Sequence, residues 1–166
     1  VSVGKGEILR EVNWEVNPMS LLDGKGQTEP DSPKESVFLQ IQDGTYGNLL
    51  IDLGKEIGID KVNSYSWHQH QRIKDHKNRA KQVFTLYGLK DEELPDLNLP
   101  ANETGWNRIV RVNSDRFFDV QEDIDRPAQQ ACSIFASKGQ IGRYRYLLIE
   151  VHGPTFFGEI DVFGAQ

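Results

Sequence analysis

Hydrophobic and polar residues follow a strand-like pattern most clearly between residues 48 and 88. Three stretches there are short apolar runs or alternate with a period of two, which predicts β-strands: Leu49–Leu53, Ile57–Trp67 and Val83–Tyr87. The first two are separated by Gly54-Lys55, and Gly88 ends the third. The connection from Gln69 to Gln82 is long and polar. We therefore expect it to be a loop that a rigid sheet presents to ligands.

The same pattern predicts strands nearer the two ends of the chain. They are Ile8–Val16, Ser36–Gln42, Trp106–Val112, Arg145–Val151 and Thr155–Gly164. In the stretch from Arg145 to Val151 we expect Leu147, Ile149 and Val151 to face the core, with the residues between them on the other face.

Two stretches between these strands have no regular alternation. Residues 89–104 contain five acidic residues and two prolines, which predicts a surface loop with one helical turn near Asp91–Leu94. Residues 113–142 give no clear organisation, apart from a short strand suggested by Phe117, Phe118 and Val120.

The composition favours an all-β fold in one domain. The chain has 166 residues, enough for a single core, and it includes fifteen glycines and seven prolines but few stretches with the period of a helix. We expect residues 1–166 to form one domain excised from a larger protein, because Val1 is not a natural start. No apolar run is long enough to cross a membrane as a helix.

Charge and cysteine content exclude several classes of function. The net charge of −6 argues against a nucleic-acid partner, which would require a basic surface. The one cysteine, Cys132, excludes an internal disulfide framework. We expect it to be a buried apolar residue and not a nucleophile. There is also no GxSxG motif of a serine hydrolase.

The polar connection after the second predicted strand holds the candidate ligand-binding residues. They are Trp67, His68, His70, Arg72, His76 and Arg79. An aromatic ring with planar polar groups suits a neutral sugar. Between His70 and Lys81 there are also five Lys or Arg residues and one Asp, an excess of positive charge that suits a carboxylated or sulfated glycan.

Other interpretations of this connection remain open. It could be a solvated loop, with Trp67 packed in the core. The histidines together with Asp75 could also form a catalytic transition-metal site, although no metal-ligand spacing such as HExxH is present. Carboxylates that could act as the paired acids of a glycoside hydrolase are also present, but carboxylates are common on an acidic surface and indicate little by themselves.

Several sequence pieces together resemble one known family. IDLGKEIGIDKVNSYSW followed by VFTLYG, the hexapeptide DGKGQT at Asp23–Thr28, and RYLLIEV followed by GEIDVFG stand in the order found in that family. They are similar to the discoidin, or coagulation-factor C-type, domains of the galactose-binding-like superfamily. The resemblance implies an antiparallel β-sandwich of jelly-roll type. This chain lacks two features of the family: the threonine and tryptophan pattern (T.W) that usually follows the hexapeptide, and the paired cysteines of the animal members.

The resemblance also implies a structural calcium site. In such domains the early turn and the glutamate of the last strand hold the ion, and the matching residues here are Asp23, Thr28 and Glu159. Calcium prefers several oxygen ligands in flexible geometry, and a glycine turn lets carbonyl groups converge on it. The ammonium of Lys25 would repel the ion, so only the carbonyl of that residue suits the site.

We therefore expect a non-catalytic carbohydrate-binding or adhesion module of a larger exported protein, either extracellular or periplasmic. Its partners would be a neutral or anionic glycan and other domains of the same polypeptide, with no nucleic acid and no membrane span. The alternative is a structural or protein–protein interaction domain that positions a neighbouring enzyme domain. The fold alone does not decide between them.

Overall fold

The computed structural model describes residues 2–5, 7–8, 18–27, 37–40, 46–68, 82–114, 128–153 and 155–165. These ranges contain ten strands and two 3₁₀ helices, Pro18–Leu22 and Ala101–Glu103. The strands are β1 (Ser2–Lys5), β2 (Glu7–Ile8), β3 (Val37–Gln40), β4 (Gly47–His68), β5 (Val83–Leu89), β6 (Asn107–Asn113), β7 (Ala128–Phe135), β8 (Gly142–Val151), β9 (Thr155–Phe157) and β10 (Glu159–Ala165). Among these elements, no helix has the length and apolar character needed to cross a membrane.

All of the pairings in the two sheets are antiparallel. The larger sheet has seven strands in the order β1-β4-β8-β5-β6, with β7 and β10 also paired to β4. The smaller sheet has the order β2-β3-β9. The prediction of an all-β antiparallel sandwich is therefore confirmed.

Strand β4 organises the larger sheet. It is one strand of 22 residues, so the prediction of two strands separated at Gly54-Lys55 was wrong. Its first half pairs with β8 up to Ile59, and its second half pairs with β7 on one edge and β10 on the other. The register shifts between Asp52 and Ile57, where Gly54 has a φ of 80° and donates its N–H to Oδ1 of Asp52 at 2.8 Å. The glycine marks a bulge, not the end of a strand.

The main core lies between two layers that β4 connects. Leu49 and Ile51 from its first half share one apolar cluster with Val62 from its second half. Both halves therefore contribute to the same core. We call the first half of β4 with β1, β8, β5 and β6 the first layer, and its second half with β7 and β10 the second layer. The remaining buried members of the cluster are Leu21, Val37, Leu39, Ile59, Phe84, Leu86, Ile134, Leu147, Ile149, Val151, Phe157 and Ile160.

The outer face of the first layer is also buried. A second cluster consists of Leu50, Tyr87, Leu89, Ala101, Trp106, Tyr146 and Leu148. Segment 90–106 supplies Ala101 and Trp106 and covers this face. The predicted surface loop is thus partly a core element, and its helical turn lies at Ala101–Glu103 instead of Asp91–Leu94.

A buried carboxylate fixes the covering segment to the sheet. Glu150 is 1% exposed, and its Oε2 accepts a hydrogen bond of 2.9 Å from the Ala101 N–H. Its Oε1 lies 3.2 Å from Nε2 of His152. The predicted face of Leu147, Ile149 and Val151 is confirmed, and Glu150 on the opposite face is buried as well.

The sequence pattern did not identify β7, which lies within the unassigned residues 113–142. Its inner side chains, Cys132 and Ile134, are opposite Ser64 and Val62 of β4. Cys132 is partly buried, and this burial raises the pKa of its thiol above the ordinary value. A raised pKa lowers the thiolate fraction, which agrees with a structural role for the residue. The suggested strand around Phe117–Val120 and most of the predicted strand Ile8–Val16 lie outside the described residues.

Close packing between β5 and β8 gives a test of the sheet. A Cβ at Gly88 would lie 2.5 Å from the Tyr144 ring, whereas one at Gly105 would meet nothing within 4 Å. We expect Gly88→Ala to lower the free energy of unfolding by about 1–3 kcal/mol, or the melting temperature by roughly 3–10 °C. Gly105→Ala is the matched control and should stay within about 0.5 kcal/mol. Equal melting temperatures of the two variants would contradict the packing.

Candidate functional site

Two of the three predicted calcium residues, Asp23 and Glu159, lie at one corner of the sandwich. The turn after the first 3₁₀ helix brings Gly24 to the start of β10, where its N–H donates to Oε1 of Glu159 at 3.2 Å. Gly24 has a φ of 75°, a conformation that favours glycine. Within the turn, the Lys25 N–H donates to Oδ1 of Asp23 at 2.8 Å. The structure therefore brings Asp23 and Glu159 into one corner, while Thr28 lies outside the described residues.

Glu159 is a buried carboxyl group with an incomplete set of partners. It is 4% exposed, and its Oε2 has no hydrogen-bond partner among the described residues. Its pKa is raised to about 7, chiefly by burial and also by the negative charges of Asp23 and Asp161. The hydrogen bond from the Gly24 amide acts in the opposite direction. Such a group is stabilised either by a proton or by a cation.

The corner supplies some of the ligands of a cation. Asp23 and Glu159 offer two carboxylates, and the glycine turn offers backbone carbonyl groups. Within the described residues no group of three or more His, Cys, Asp or Glu side chains could hold a metal ion. A cation here would therefore depend on carbonyl oxygens as well as carboxylates, which calcium accepts.

Gln82 and Ser114 fix the base of the predicted ligand loop. The Gln82 N–H donates to Ser114 Oγ at 2.7 Å, and the Ser114 N–H donates to the Gln82 carbonyl at 3.0 Å. The side-chain amide of Gln82 donates to the carbonyls of Tyr65 and Phe156, at 3.2 and 3.3 Å. Gln82 therefore connects the end of the polar connection to β4 of the larger sheet and to β9 of the smaller sheet.

The described residues that border two chain segments are neighbours. Gln82 directly follows segment 69–81, and Ser114, its hydrogen-bond partner, directly precedes segment 115–127. Of the predicted ligand-binding residues, Trp67 and His68 form the last backbone pairs of β4, opposite Gln129 and Ala128. The remaining four, His70, Arg72, His76 and Arg79, lie outside the described residues.

Sequence reasoning missed three residues that shape these sites. Gln82 and Ser114 are polar residues beside predicted strands, and nothing in their pattern distinguishes them from solvent-facing ones. Gln27 lies in the hexapeptide that resembles a calcium-binding turn. Its side chain packs closely on Gly158, because a Cβ added to Gly158 would lie 2.6 Å from Oε1 of Gln27. The one sequence feature that could have indicated the position of Gln27 is Gly158, the glycine immediately before Glu159.

Comparison of the whole structure with solved structures shows the fold. A fucolectin from the serum of Morone saxatilis (striped bass) is 10% identical, with a TM-score of 0.61; the match covers 99% of this chain and 47% of that one. The lectin domain of lectinolysin, complexed with Lewis B antigen, is 16% identical with a TM-score of 0.53, covering 99% of this chain and 92% of that one. The chain therefore shares the β-sandwich fold of these two lectin structures, which is the architecture that its sequence resemblance implied.

The same fold also occurs in an enzyme structure. An allantoicase is 13% identical, with a TM-score of 0.57, and the match covers 99% of this chain and 39% of that one. No protein-family profile and no curated protein sequence matches the chain. At these low identities the likeness establishes the architecture and leaves the ligand to be argued from the residues.

The raised pKa of Glu159 gives a test that requires no ligand. The folded protein keeps this proton up to about pH 7, whereas the unfolded chain loses it near the ordinary value of 4.5. In metal-free buffer Glu159 should therefore lower the free energy of unfolding as the pH rises between these values, by up to about 3 kcal/mol. Glu159→Gln should remove this contribution.

The measurement is the difference in melting temperature between the two proteins across the pH range. Glu103→Gln, at an exposed position, is the control and should follow the wild type. Parallel curves for wild type and Glu159→Gln would show that Glu159 has an ordinary pKa.

Proposed function

We propose that this galactose-binding-like sandwich is a non-catalytic carbohydrate-binding module. The glycan would bind at the end of the fold that carries segment 69–81, through the predicted set Trp67, His68, His70, Arg72, His76 and Arg79. We further propose that the module belongs to an exported protein with other domains, because an isolated sugar-binding unit commonly serves to hold a neighbouring domain at its substrate.

The observation that carries this proposal is the buried clamp of Gln82 and Ser114. Its hydrogen bonds anchor the base of segment 69–81, which concentrates histidines, arginines and lysines on an otherwise acidic protein. A polar binding segment on a rigid base loses less entropy when it engages a ligand. The shared fold of the two lectins supports a sugar as that ligand.

We also propose that the corner of Asp23 and Glu159 holds calcium. Asp23, Glu159 and carbonyl groups of the glycine turn would be its ligands, and Thr28 would complete the set that the family pattern implies. The unpartnered Oε2 of Glu159 supports this assignment, because an ion would satisfy a buried oxygen that no described residue satisfies. Bound calcium would stabilise the corner without taking part in chemistry.

Calcium should raise the melting temperature. Extracellular modules bind it with dissociation constants of about 0.1–1 mM, and tenfold excess over the dissociation constant adds roughly 1.4 kcal/mol, or about 3–6 °C. Because the ligand carboxylates must be ionised, the effect should be larger at pH 8 than at pH 5. Glu159→Gln should abolish it, whereas Glu103→Gln should retain it. Identical melting curves with calcium and with chelator would contradict the site.

Glycan binding should depend on segment 69–81. If the ligand is anionic, the double variant Arg72→Ala/Arg79→Ala should weaken binding by about tenfold or more through lost charge-assisted hydrogen bonds. Added salt should then weaken the wild type as well. If the ligand is neutral, salt should have little effect, and the loss should follow His68→Ala or His70→Ala.

A glycan array with wild type and these variants separates the two cases, followed by titration calorimetry on the glycans that bind. Lys90→Ala is the matched control, because this lysine is exposed and lies on segment 90–106, which covers the first layer. Melting temperatures of the variants should be nearly unchanged. Binding of no glycan at all would favour the interaction-domain alternative.

A further inference from the structure

An exposed aromatic row crosses the second layer of the sandwich. Lys61 of β4 lies opposite Phe135 of β7 on one side and Phe163 of β10 on the other. Residues directly opposite each other share one face of a sheet, so these three side chains form a row. Phe135 is 67% exposed and Phe163 is 43% exposed. We call these three residues the Phe-Lys-Phe row.

The cation at the centre of the row is available to a ligand. Nζ of Lys61 lies 4.2 Å from the centroid of the Phe163 ring, which is a cation–π contact. Within the part of the chain that the structure describes, Lys61 makes no ion pair. The diagonal neighbour Asp161 instead accepts a hydrogen bond of 2.7 Å from the Tyr65 hydroxyl. The ammonium thus keeps its capacity to pair with an anion.

Fixed polar groups lie directly beside the row. Ser133 Oγ donates to Asn63 Oδ1 at 2.9 Å, and Asn63 Nδ2 donates to the Tyr65 hydroxyl, also at 2.9 Å. Asn63 of β4 and Ser133 of β7 are opposite each other. Each lies two residues along its strand from Lys61 and Phe135, on the same face of the sheet. Their hydrogen bonds hold them in one orientation, which reduces the entropy lost when a polar ligand binds.

The size of the row indicates a narrow ligand. Two phenyl rings exposed by about half offer on the order of 200 Å² of apolar surface, whereas a stable protein partner covers about 800 Å². Among the described residues, the adjoining row of Asn63 and Ser133 is polar, so the apolar surface does not extend in that direction. Strands lie about 4.8 Å apart, which places the two phenylalanines on strands about 10 Å apart. A short run of linked sugars covers such a span.

We propose that the Phe-Lys-Phe row is a second carbohydrate-binding site, for an extended glycan that carries carboxylate groups. Sugar rings stack on Phe135 and Phe163, and a carboxylate between them pairs with the ammonium of Lys61. Hydroxyl groups of the glycan reach the exposed Ser133, whose hydroxyl is held by Oδ1 of the buried Asn63. The site lies on a sheet face, on residues separate from segment 69–81, so it does not depend on the proposed function of that segment.

The test measures binding to polygalacturonate and hyaluronate by affinity electrophoresis and calorimetry. Phe135→Ala should weaken binding about tenfold, from the lost apolar contact, and Lys61→Gln up to about fivefold, from the lost ion pair. Leu99→Ala and Lys90→Gln are the matched controls, one exposed apolar residue and one exposed lysine on the other layer, and both should bind as the wild type does. The carboxyl-reduced form of polygalacturonate should bind more weakly than the native polymer.

The double variant Arg72→Ala/Arg79→Ala separates this site from the proposed loop site. If this double variant still binds polygalacturonate and hyaluronate while Phe135→Ala does not, the Phe-Lys-Phe row is the site, whatever segment 69–81 binds. Loss in the loop variant alone would overturn the row and support the loop. Absence of binding to both polymers, or equal binding of the carboxyl-reduced polymer, would also overturn it. So would a dimer in sedimentation that Phe135→Ala dissociates, because the row would then be a protein contact.

Discussion

The fold depends on one strand that contributes to both layers of the sandwich. β4 extends over 22 residues, and its inner side chains enter the same core from both sides. Its partners follow from this: β8 pairs with the first half and β7 with the second. Shifting the register of β4 by one residue would turn all of these side chains outward, so every neighbouring strand is held to a single alignment.

The two layers differ in what covers their outer faces. Segment 90–106 buries the outer face of the first layer, and the buried carboxylate of Glu150 holds it there through the Ala101 N–H. The outer face of the second layer carries exposed phenylalanines and a network of polar side chains. Within the described residues, the exposed phenylalanines therefore lie on the second layer and not on the first.

Most strands could be predicted from alternation, and the errors have physical causes. Gly54-Lys55 resembles a turn because a bulge and a turn both use a glycine with positive φ. β7 has the sequence AQQACSIF, in which two glutamines precede the inner residues Cys132 and Ile134, so apolar and polar residues do not alternate clearly over its length. Segment 90–106 contains five acidic residues, and only a few of its apolar residues, such as Trp106, enter the second cluster.

The candidate site could be predicted only in part. Asp23 and Glu159 are 136 residues apart and were joined by family resemblance, since no local pattern connects them. The clamp of Gln82 and Ser114 depends on which strand ends become neighbours, and that information is absent from either local sequence. The Phe-Lys-Phe row likewise exists only through the registers of three strands.

Burial on all sides restricts the sequence changes that β8 can accept. Tyr146 to Val151 are six consecutive buried positions, with β4 and β5 on the two edges and an apolar cluster on each face. A new side chain at any of these positions cannot reach solvent, so a change in its size must be compensated by a change in another element. Sequence drift in relatives of this chain should therefore be slowest along β8 and should involve its neighbours jointly when it occurs.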